Sequence, residues 1–262
     1  MTRLHAIEIG HGPTRLVFLH GVFGQGKNFG NVAKLLADQA TSVLLDLPNH
    51  GRSPWTDRFD LDLFADLVAG ELRARDTQAE PVTLIGHSMG GKVAMRLALR
   101  HPGLLNRLVV ADMSPVARGD DGEFQHLVDS LLRIDLDRIT TRKQADEALS
   151  ADVHDAAVRA FLLQNLHRTP TGDGWRWLAN LGLLQASIDK LVGWPPISGR
   201  WHGPVLWLRG ANSLHVQPAD EPIMRSYFPA VQLITIPDAG HWIHADQPQA
   251  VASAIAEFIS RG

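Results

Sequence analysis

The chain has 262 residues, 45% of them hydrophobic and 20% charged, and its 28 acidic and 25 basic side chains give a formal charge of −3. This composition is ordinary for a globular protein and excludes intrinsically disordered and collagen-like chains. Because the chain has no cysteine, disulfide scaffolds, thiolate metal sites and cysteine nucleophiles are excluded as well. The absence of a global positive field argues against nucleic acid and anionic membranes as partners.

The first residues do not resemble a secretion signal. Arg3 places a charge too early for the apolar core of a signal peptide, and no segment approaches the ~20 apolar residues that span a membrane. Together with the lack of cysteine, these features lead us to expect a cytoplasmic protein that does not insert into membranes. The sequence gives no indication of its oligomeric state.

Six short apolar segments are typical of buried strands, at 15–20, 42–46, 82–87, 107–112, 204–209 and 231–236. Segments with helical periodicity accompany most of them, at 28–40, 61–75, 89–101, 219–228 and 247–259. This alternation predicts an α/β fold in which a mostly parallel central sheet is flanked by helices on both faces.

The alternation fails between about residues 115 and 201. No convincing strand occurs there, and helical patterns lie at 123–133, 143–150, 155–166 and 175–192. We therefore expect a single domain over residues 1–262 with an inserted helical cap at 115–200. Four of the seven tryptophans fall in this stretch, and they either fill the core of the cap or line an apolar pocket beneath it: Trp175, Trp177, Trp194 and Trp201.

The most informative motif is GHSMG at residues 86–90, between a predicted strand and a predicted helix. A G-x-S-x-G pattern alone is weak evidence, but this context is the one that a nucleophile elbow requires. The glycines permit a sharp turn that exposes the Ser88 hydroxyl at the carboxyl edge of the sheet, and the helix that follows presents its amides and positive dipole end. Ser88 is therefore the candidate nucleophile; the alternative is a serine that only caps the helix.

A nucleophilic serine needs a base, and the candidate is His241 in the loop after the last predicted strand. The neighbouring Gly240 lets the chain turn closely, so that His241 reaches the sheet edge that holds Ser88. His244 stands three residues later, but two histidines on a short loop without a third ligand make a poor zinc site. We expect no metal and no cofactor.

Four motifs in a fixed order resemble the α/β-hydrolase fold superfamily over essentially the whole chain: HGVFG at 20–24, DLPNHGRS at 46–53, GHSMGGK at 86–92 and GHWIHAD at 240–246. They are most similar to those of the small YbfF-like esterase branch. The resemblance implies that residues 46–53 form a structural turn and that the turn after His20 points a backbone N–H at the substrate oxygen. We expect the N–H groups of Val22 and Met89 to form the oxyanion hole, and His20 to order its loop.

The third member of a catalytic triad, an acid, is missing from its usual place. Many relatives carry it on a G-x-x-D turn, but here that turn ends in Ser213. Asp112 is the best substitute, because it ends the neighbouring predicted strand and preserves the order Ser, acid, His. The alternative for Asp112 is a turn residue before Ser114 and Pro115. Weaker candidates for the acid are Asp220, Glu221 and Asp238, while Asn212 or Ser213 could support the site by hydrogen bonding.

These motifs predict a serine hydrolase that cleaves carboxylic esters or thioesters of small to medium acyl groups through an acyl-serine intermediate, with His241 as the base. A small-molecule ester or thioester is the expected partner. Because relatives run other reactions on similar triads, carbon–carbon bond hydrolysis and cofactor-free perhydrolysis remain alternatives. A non-catalytic module that binds a small ligand is the alternative from another class.

Overall fold

The computed structural model describes residues 3–75, 80–117 and 122–261. The strands are β1 (Ala6–Ile9), β2 (Thr14–Leu19), β3 (Ala40–Leu45), β4 (Val82–His87), β5 (Leu105–Ala111), β6 (Leu166–Arg168), β7 (Trp175–Trp177), β8 (Val205–Gly210) and β9 (Val231–Ile236). The α-helices are α1 (Gly30–Leu35), α2 (Leu61–Arg75), α3 (Met89–Arg100), α4 (Gly122–Leu132), α5 (Arg142–Leu149), α6 (Ala156–Leu163), α7 (Leu181–Gln185), α8 (Ile188–Val192), α9 (Glu221–Tyr227), α10 (Ile243–Asp246) and α11 (Pro248–Ser260).

Seven strands form one sheet in the order β1-β3-β2-β4-β5-β8-β9. β1 runs antiparallel to β3, and the other neighbours are parallel. The central strand β4 is buried along its whole length because both of its faces are covered, whereas the edge strand β9 keeps exposed polar residues. The predicted mostly parallel sheet is therefore confirmed, as are all six predicted strands.

Successive side chains of each strand enter different cores on the two faces of the sheet. On β2, Val17 packs in the core that contains α2 and α3, whereas Phe18 packs in the core that contains α1 and α11. The helices thus cover both faces, as predicted. Because all the parallel strands point the same way, the loops that follow β2, β4, β5, β8 and β9 meet at one edge of the sheet.

Two parts of the fold differ from the prediction. The sequence did not indicate β1, because four residues at a half-exposed sheet edge are too short to show a clear pattern. The helix predicted at 175–192 is wrong at its beginning: Trp175 and Trp177 lie on β7, which pairs with β6 in a hairpin. In this hairpin the Thr169 N–H donates to the Gly174 carbonyl, so the glycine-containing segment 169–174 forms its turn.

The segment between β5 and β8, residues 113–204, is called the intervening segment below; it contains α4 to α8 and the hairpin. Lys92 of α3 joins this segment to the sheet domain. Its buried ammonium donates to the carbonyls of Leu191, Val192 and Gly193, at 2.9, 2.8 and 2.9 Å. These are carbonyls at the end of α8, where the helix itself supplies no donors. Lys92 therefore fixes the end of α8 one helical turn from Ser88.

Replacing Lys92 with methionine is expected to lower the free energy of unfolding by about 3 kcal/mol, because buried carbonyls of α8 lose a charged donor. Urea unfolding followed by circular dichroism measures this loss. The matched control is Lys190→Met, which removes an exposed lysine of α8 itself and should leave the urea midpoint nearly unchanged. Equal midpoints for the two variants would contradict the anchoring role of Lys92.

Within the three ranges that the structure describes, no helix combines the length and the apolar character needed to cross a membrane.

Candidate active site

Ser88 lies on a strained turn between β4 and α3, with φ of 53° and ψ of −121°. Positive φ is rare for a residue with a side chain, and such strain is found at functional sites. The turn is possible because two glycines leave room: a Cβ on Gly86 would lie 2.2 Å from the Gly90 carbonyl oxygen, and one on Gly90 would lie 2.3 Å from that of Leu19. The local sequence therefore dictates the sharp turn that places Ser88 between the end of β4 and the beginning of α3.

His241 is held by the loops that follow β8 and β9. The Asn212 N–H donates to the Ala239 carbonyl at 2.9 Å, and a Cβ on Gly210 would lie 2.2 Å from the Gly240 carbonyl oxygen. On the other side, the His87 Nε2–H donates to the carbonyl of His241 at 2.8 Å. These contacts fix the backbone of His241 against the nucleophile turn.

The structure brings Ser88, His241 and Asp112 together in one line of hydrogen bonds. The Ser88 hydroxyl lies 3.0 Å from Nε2 of His241. On the opposite side of the ring, Nδ1 of His241 lies 2.7 Å from Oδ2 of Asp112. This arrangement can take the serine proton at one ring nitrogen while the carboxylate holds the other ring nitrogen in its protonated form.

Asp112 is oriented by the loop after β8. Its backbone has a positive φ of 49°, and its buried carboxylate accepts from the Gly210 N–H at 2.9 Å and from the Ser213 hydroxyl. Burial raises the pKa of Asp112, while the bonds from Ser213 and Gly210 oppose the rise by favouring the charged form. Ser213 therefore supports the acid from the position where many relatives carry the acid itself.

The other acids considered from the sequence lie elsewhere. Asp220 accepts from the Gln217 N–H at 2.8 Å, Glu221 pairs with Arg225 at 2.7 Å, and Asp238 is exposed to solvent. Asp112 is thus the acid among these four that the structure places against His241.

The two residues expected to donate to the oxyanion both line the cavity at Ser88. Met89 is the first residue of α3, where N–H groups have no partner within the helix. Val22 lies in a tight turn in which the Gly24 N–H donates to the Gly21 carbonyl at 3.0 Å. His20 orders this turn: its Nδ1 donates to the Gly21 carbonyl, and its Nε2 accepts from the Leu47 N–H at 2.9 Å.

The intervening segment also holds the turn after β2. Asn165 is fully buried, and its amide nitrogen donates to the Phe23 carbonyl at 2.7 Å. Its amide oxygen accepts from the side chain of Gln25 at 3.3 Å. Sequence reasoning missed Asn165, because its partners are about 140 positions away in the chain and nothing local marks the contact.

Several histidines surround His241. The ring of His215 lies against it with a centroid separation of 3.8 Å, and the ring of His87 follows at 4.7 Å. Burial lowers the pKa of His241 well below the ordinary value of a histidine, and His215 and His244 lower it further. The lowered pKa favours the neutral ring, which is the form that can accept a proton. Sequence reasoning did not place His215 beside His241.

Two cavities meet at Ser88. The wide one has a volume of about 680 Å³ and polar as well as apolar walls, including Lys92, Met113, Glu123, Leu191, Asn212, His215 and Gln217. The narrow one has a volume of about 30 Å³, and its apolar walls are Phe124, Leu127, Val158, Phe161 and Trp242. None of the four tryptophans of the intervening segment lines either cavity, so the pocket-lining alternative for them is wrong.

In the described part of the chain, no group of three or more histidine and carboxylate side chains is arranged to hold a metal ion.

Comparison with known proteins agrees with this geometry. The model of the α/β hydrolase fold family matches residues 14–248. The esterase YbfF of Escherichia coli is 31% identical over 253 residues, which are 95% of this chain and 94% of the relative. The mouse sn-1-specific diacylglycerol lipase ABHD11 is 36% identical over 251 residues, which are 94% of this chain and 80% of the relative.

A solved structure shows the same fold over almost the whole chain. It is a marine microorganism esterase with a TM-score of 0.93 and 33% identity, and the match covers 98% of this chain and 100% of that one. By its sheet, its ordered motifs and these similarities, the chain belongs to the α/β hydrolase fold family and resembles the YbfF-like esterases within it.

Proposed function

We propose that the protein is a serine esterase that hydrolyses carboxylic esters and thioesters of small to medium acyl groups through an acyl-serine intermediate. The observation that carries this proposal is the line of hydrogen bonds from Ser88 through His241 to Asp112, where the two cavities meet. The esterase and lipase names of the relatives support it.

In the acylation half, Nε2 of His241 takes the Ser88 proton as the hydroxyl oxygen attacks the substrate carbonyl carbon. The carbonyl oxygen becomes an oxyanion, which the N–H groups of Val22 and Met89 stabilise. Asp112 stabilises the imidazolium that has formed on His241. The carbon–oxygen or carbon–sulfur bond then breaks, and the leaving group receives the proton from Nε2.

In the deacylation half, His241 takes a proton from water, and the resulting hydroxide attacks the acyl-serine carbonyl. A second oxyanion forms in the same hole and collapses, which breaks the bond to the Ser88 oxygen. That oxygen takes the proton back from His241 and the carboxylic acid is released. Apart from the substrate and this water molecule, both halves use only groups of this chain.

The two cavities suit the two halves of an ester. The narrow pocket has apolar walls, among them Leu127, Phe161 and Trp242, which match a short hydrocarbon chain. The wide cavity includes Glu123, Asn212 and Gln217, whose polar groups match the alcohol or thiol half. We therefore place the acyl group in the narrow pocket and the leaving group in the wide cavity.

For p-nitrophenyl esters, kcat/KM is expected to rise over the first few carbons of the acyl chain and then to fall. Each buried CH₂ contributes about 0.8 kcal/mol, which is about fourfold, until the pocket is full. Initial rates across a series from acetate to palmitate measure the optimum. A steady rise to the longest chains, with activation at a lipid interface, would contradict this assignment.

Phe161→Ala enlarges the narrow pocket and is the matched variant for this series. Its ring lines the narrow pocket and contacts the ring of Trp242 at a centroid distance of 5.7 Å. The optimum should move to longer acyl chains, with thermal melts confirming that the variant folds. An unchanged optimum would show that the acyl chain does not occupy this pocket.

The test of the reaction itself is covalent trapping. A fluorophosphonate should add once to the wild-type protein, and peptide mapping should place the adduct on Ser88, because an activated serine attacks phosphorus as it attacks a carbonyl. An unlabelled protein would indicate the non-catalytic binding module instead. An adduct on another residue would overturn the assignment of the nucleophile.

A further inference from the structure

Among the aromatic rings of the described residues, the ring of His215 lies nearest to the ring of His241. The two imidazole rings lie 3.8 Å apart between centroids and are tilted by 33°. The same residue lines the wide cavity beside Ser88. A ring in this place touches the base on its flat side, where neither Ser88 nor Asp112 makes contact.

The backbone of His215 is held by the elements that also hold Asp112. Its N–H donates to the Ser213 hydroxyl at 3.2 Å, and its carbonyl accepts from the Ser114 hydroxyl at 3.0 Å. Ser213 itself donates to Asp112. The backbone of His215 is therefore tied to the loop that orients Asp112, and this places its ring against His241.

The contact between the rings of His215 and His241 also has an electrostatic effect. Two imidazolium rings at this separation repel each other, and His241 becomes an imidazolium each time it accepts the serine proton. A proton on His215 therefore opposes the transition state, while the carboxylate of Asp112 attracts a proton to either ring. The other titratable or charged side chains that face this pair, from the neighbouring loops, helices and cavity wall, are His87, Lys92, Glu123, Arg209 and His244.

We propose that His215 is a positioning residue for the esterase reaction: its ring fixes the plane of His241, and its protonation sets the beginning of the acidic limb of the pH–rate profile. This inference rests on the proposed function, since it acts through His241 as the base. The direction follows from the charges. Activity is full while both rings are neutral, and it falls as the pH drops because a proton on either ring hinders catalysis.

His215→Phe and His215→Ala separate the two parts of the proposal. Phenylalanine keeps an aromatic wall but cannot be protonated, so the apparent pKa of the acidic limb of kcat/KM should fall by about half a unit. Alanine removes the wall, so kcat should fall about tenfold with little change in KM, and phenylalanine should restore most of that loss. The control is His11→Phe, which replaces an exposed histidine far from the site and should leave the profile unchanged.

The measurement is kcat/KM for p-nitrophenyl acetate between pH 5 and 9, with fluorophosphonate labelling of each variant at pH 8. An acidic limb in His215→Phe that coincides with that of the wild type, or lies at higher pH, would overturn the electrostatic part. A wild-type kcat in His215→Ala would overturn the positioning part. If the wild-type protein itself is not labelled at Ser88, the proposed function fails, and that result is distinct from either outcome for His215.

Discussion

Ser88→Ala is expected to lower kcat for an aryl ester by about 10⁶-fold and to abolish fluorophosphonate labelling. Removing the hydroxyl leaves His241 with no nucleophile to activate, and only binding and the oxyanion donors remain to accelerate the reaction. The loss should appear in kcat rather than KM, because the Ser88 oxygen forms its bond during the reaction and not in the ground state. Initial rates and intact mass measure the two effects.

The matched control for this variant is Ser42→Ala. Ser42 is also a buried serine, but it lies on β3, and its hydroxyl has no hydrogen-bond partner among the residues that the structure describes. Its replacement should preserve both turnover and labelling, and the stability should not fall, since no hydrogen bond is lost. Substantial turnover in Ser88→Ala, after contamination by the wild-type enzyme has been excluded, would show that another group is the nucleophile.

Asp112→Asn is expected to lower kcat by ~10⁴-fold, the loss found when the acid of such a triad becomes an amide. The amide keeps the shape of the carboxylate but presents no charge to the imidazolium, and its N–H₂ favours the wrong tautomer of His241. KM should change little, because the buried carboxylate lies behind the histidine ring and away from the cavities. Steady-state kinetics with thermal melts as a folding check measure this effect.

Three companion variants make the comparison decisive. Ser213→Ala removes one hydrogen bond to Asp112 and should cost about tenfold in kcat, while Asp220→Asn and Asp238→Asn should retain turnover within a few fold. If Asp112→Asn stays near the wild-type rate while one of the other carboxylate variants collapses, the acid is that residue.

Local sequence was enough to predict the part of the site that is built on one turn. The glycines around Ser88 permit a sharp turn there. A nucleophile turn of this kind has a strand before it and a helix after it. The location of His241 at the sheet edge was predicted from its place in the chain, in the loop after the last strand. For Asp112 the prediction depended on an elementary property of parallel sheets, namely that neighbouring strands end at the same edge.

The contacts that sequence did not indicate are those set by the folding of loops and of the intervening segment. His215 reaches His241 only because the loop after β8 folds back over Asp112, and Asn165 reaches the turn after β2 from α6 and β6. Neither contact leaves a periodic pattern or a characteristic residue spacing in the sequence. The hairpin of β6 and β7 was hidden for a similar reason, since three-residue strands are too short to show alternation.

The hydrogen bond from Asn165 to Phe23 has a consequence for how this enzyme discriminates by size. The intervening segment forms one wall of both cavities, and the same segment holds the turn that presents the Val22 N–H. A bulky substrate that pushes this wall outward also pulls on the donor that must meet the oxyanion. If the Val22 N–H donates to the oxyanion as proposed, oversized substrates would bind and still react slowly, and the discrimination would act at the transition state rather than at the entrance.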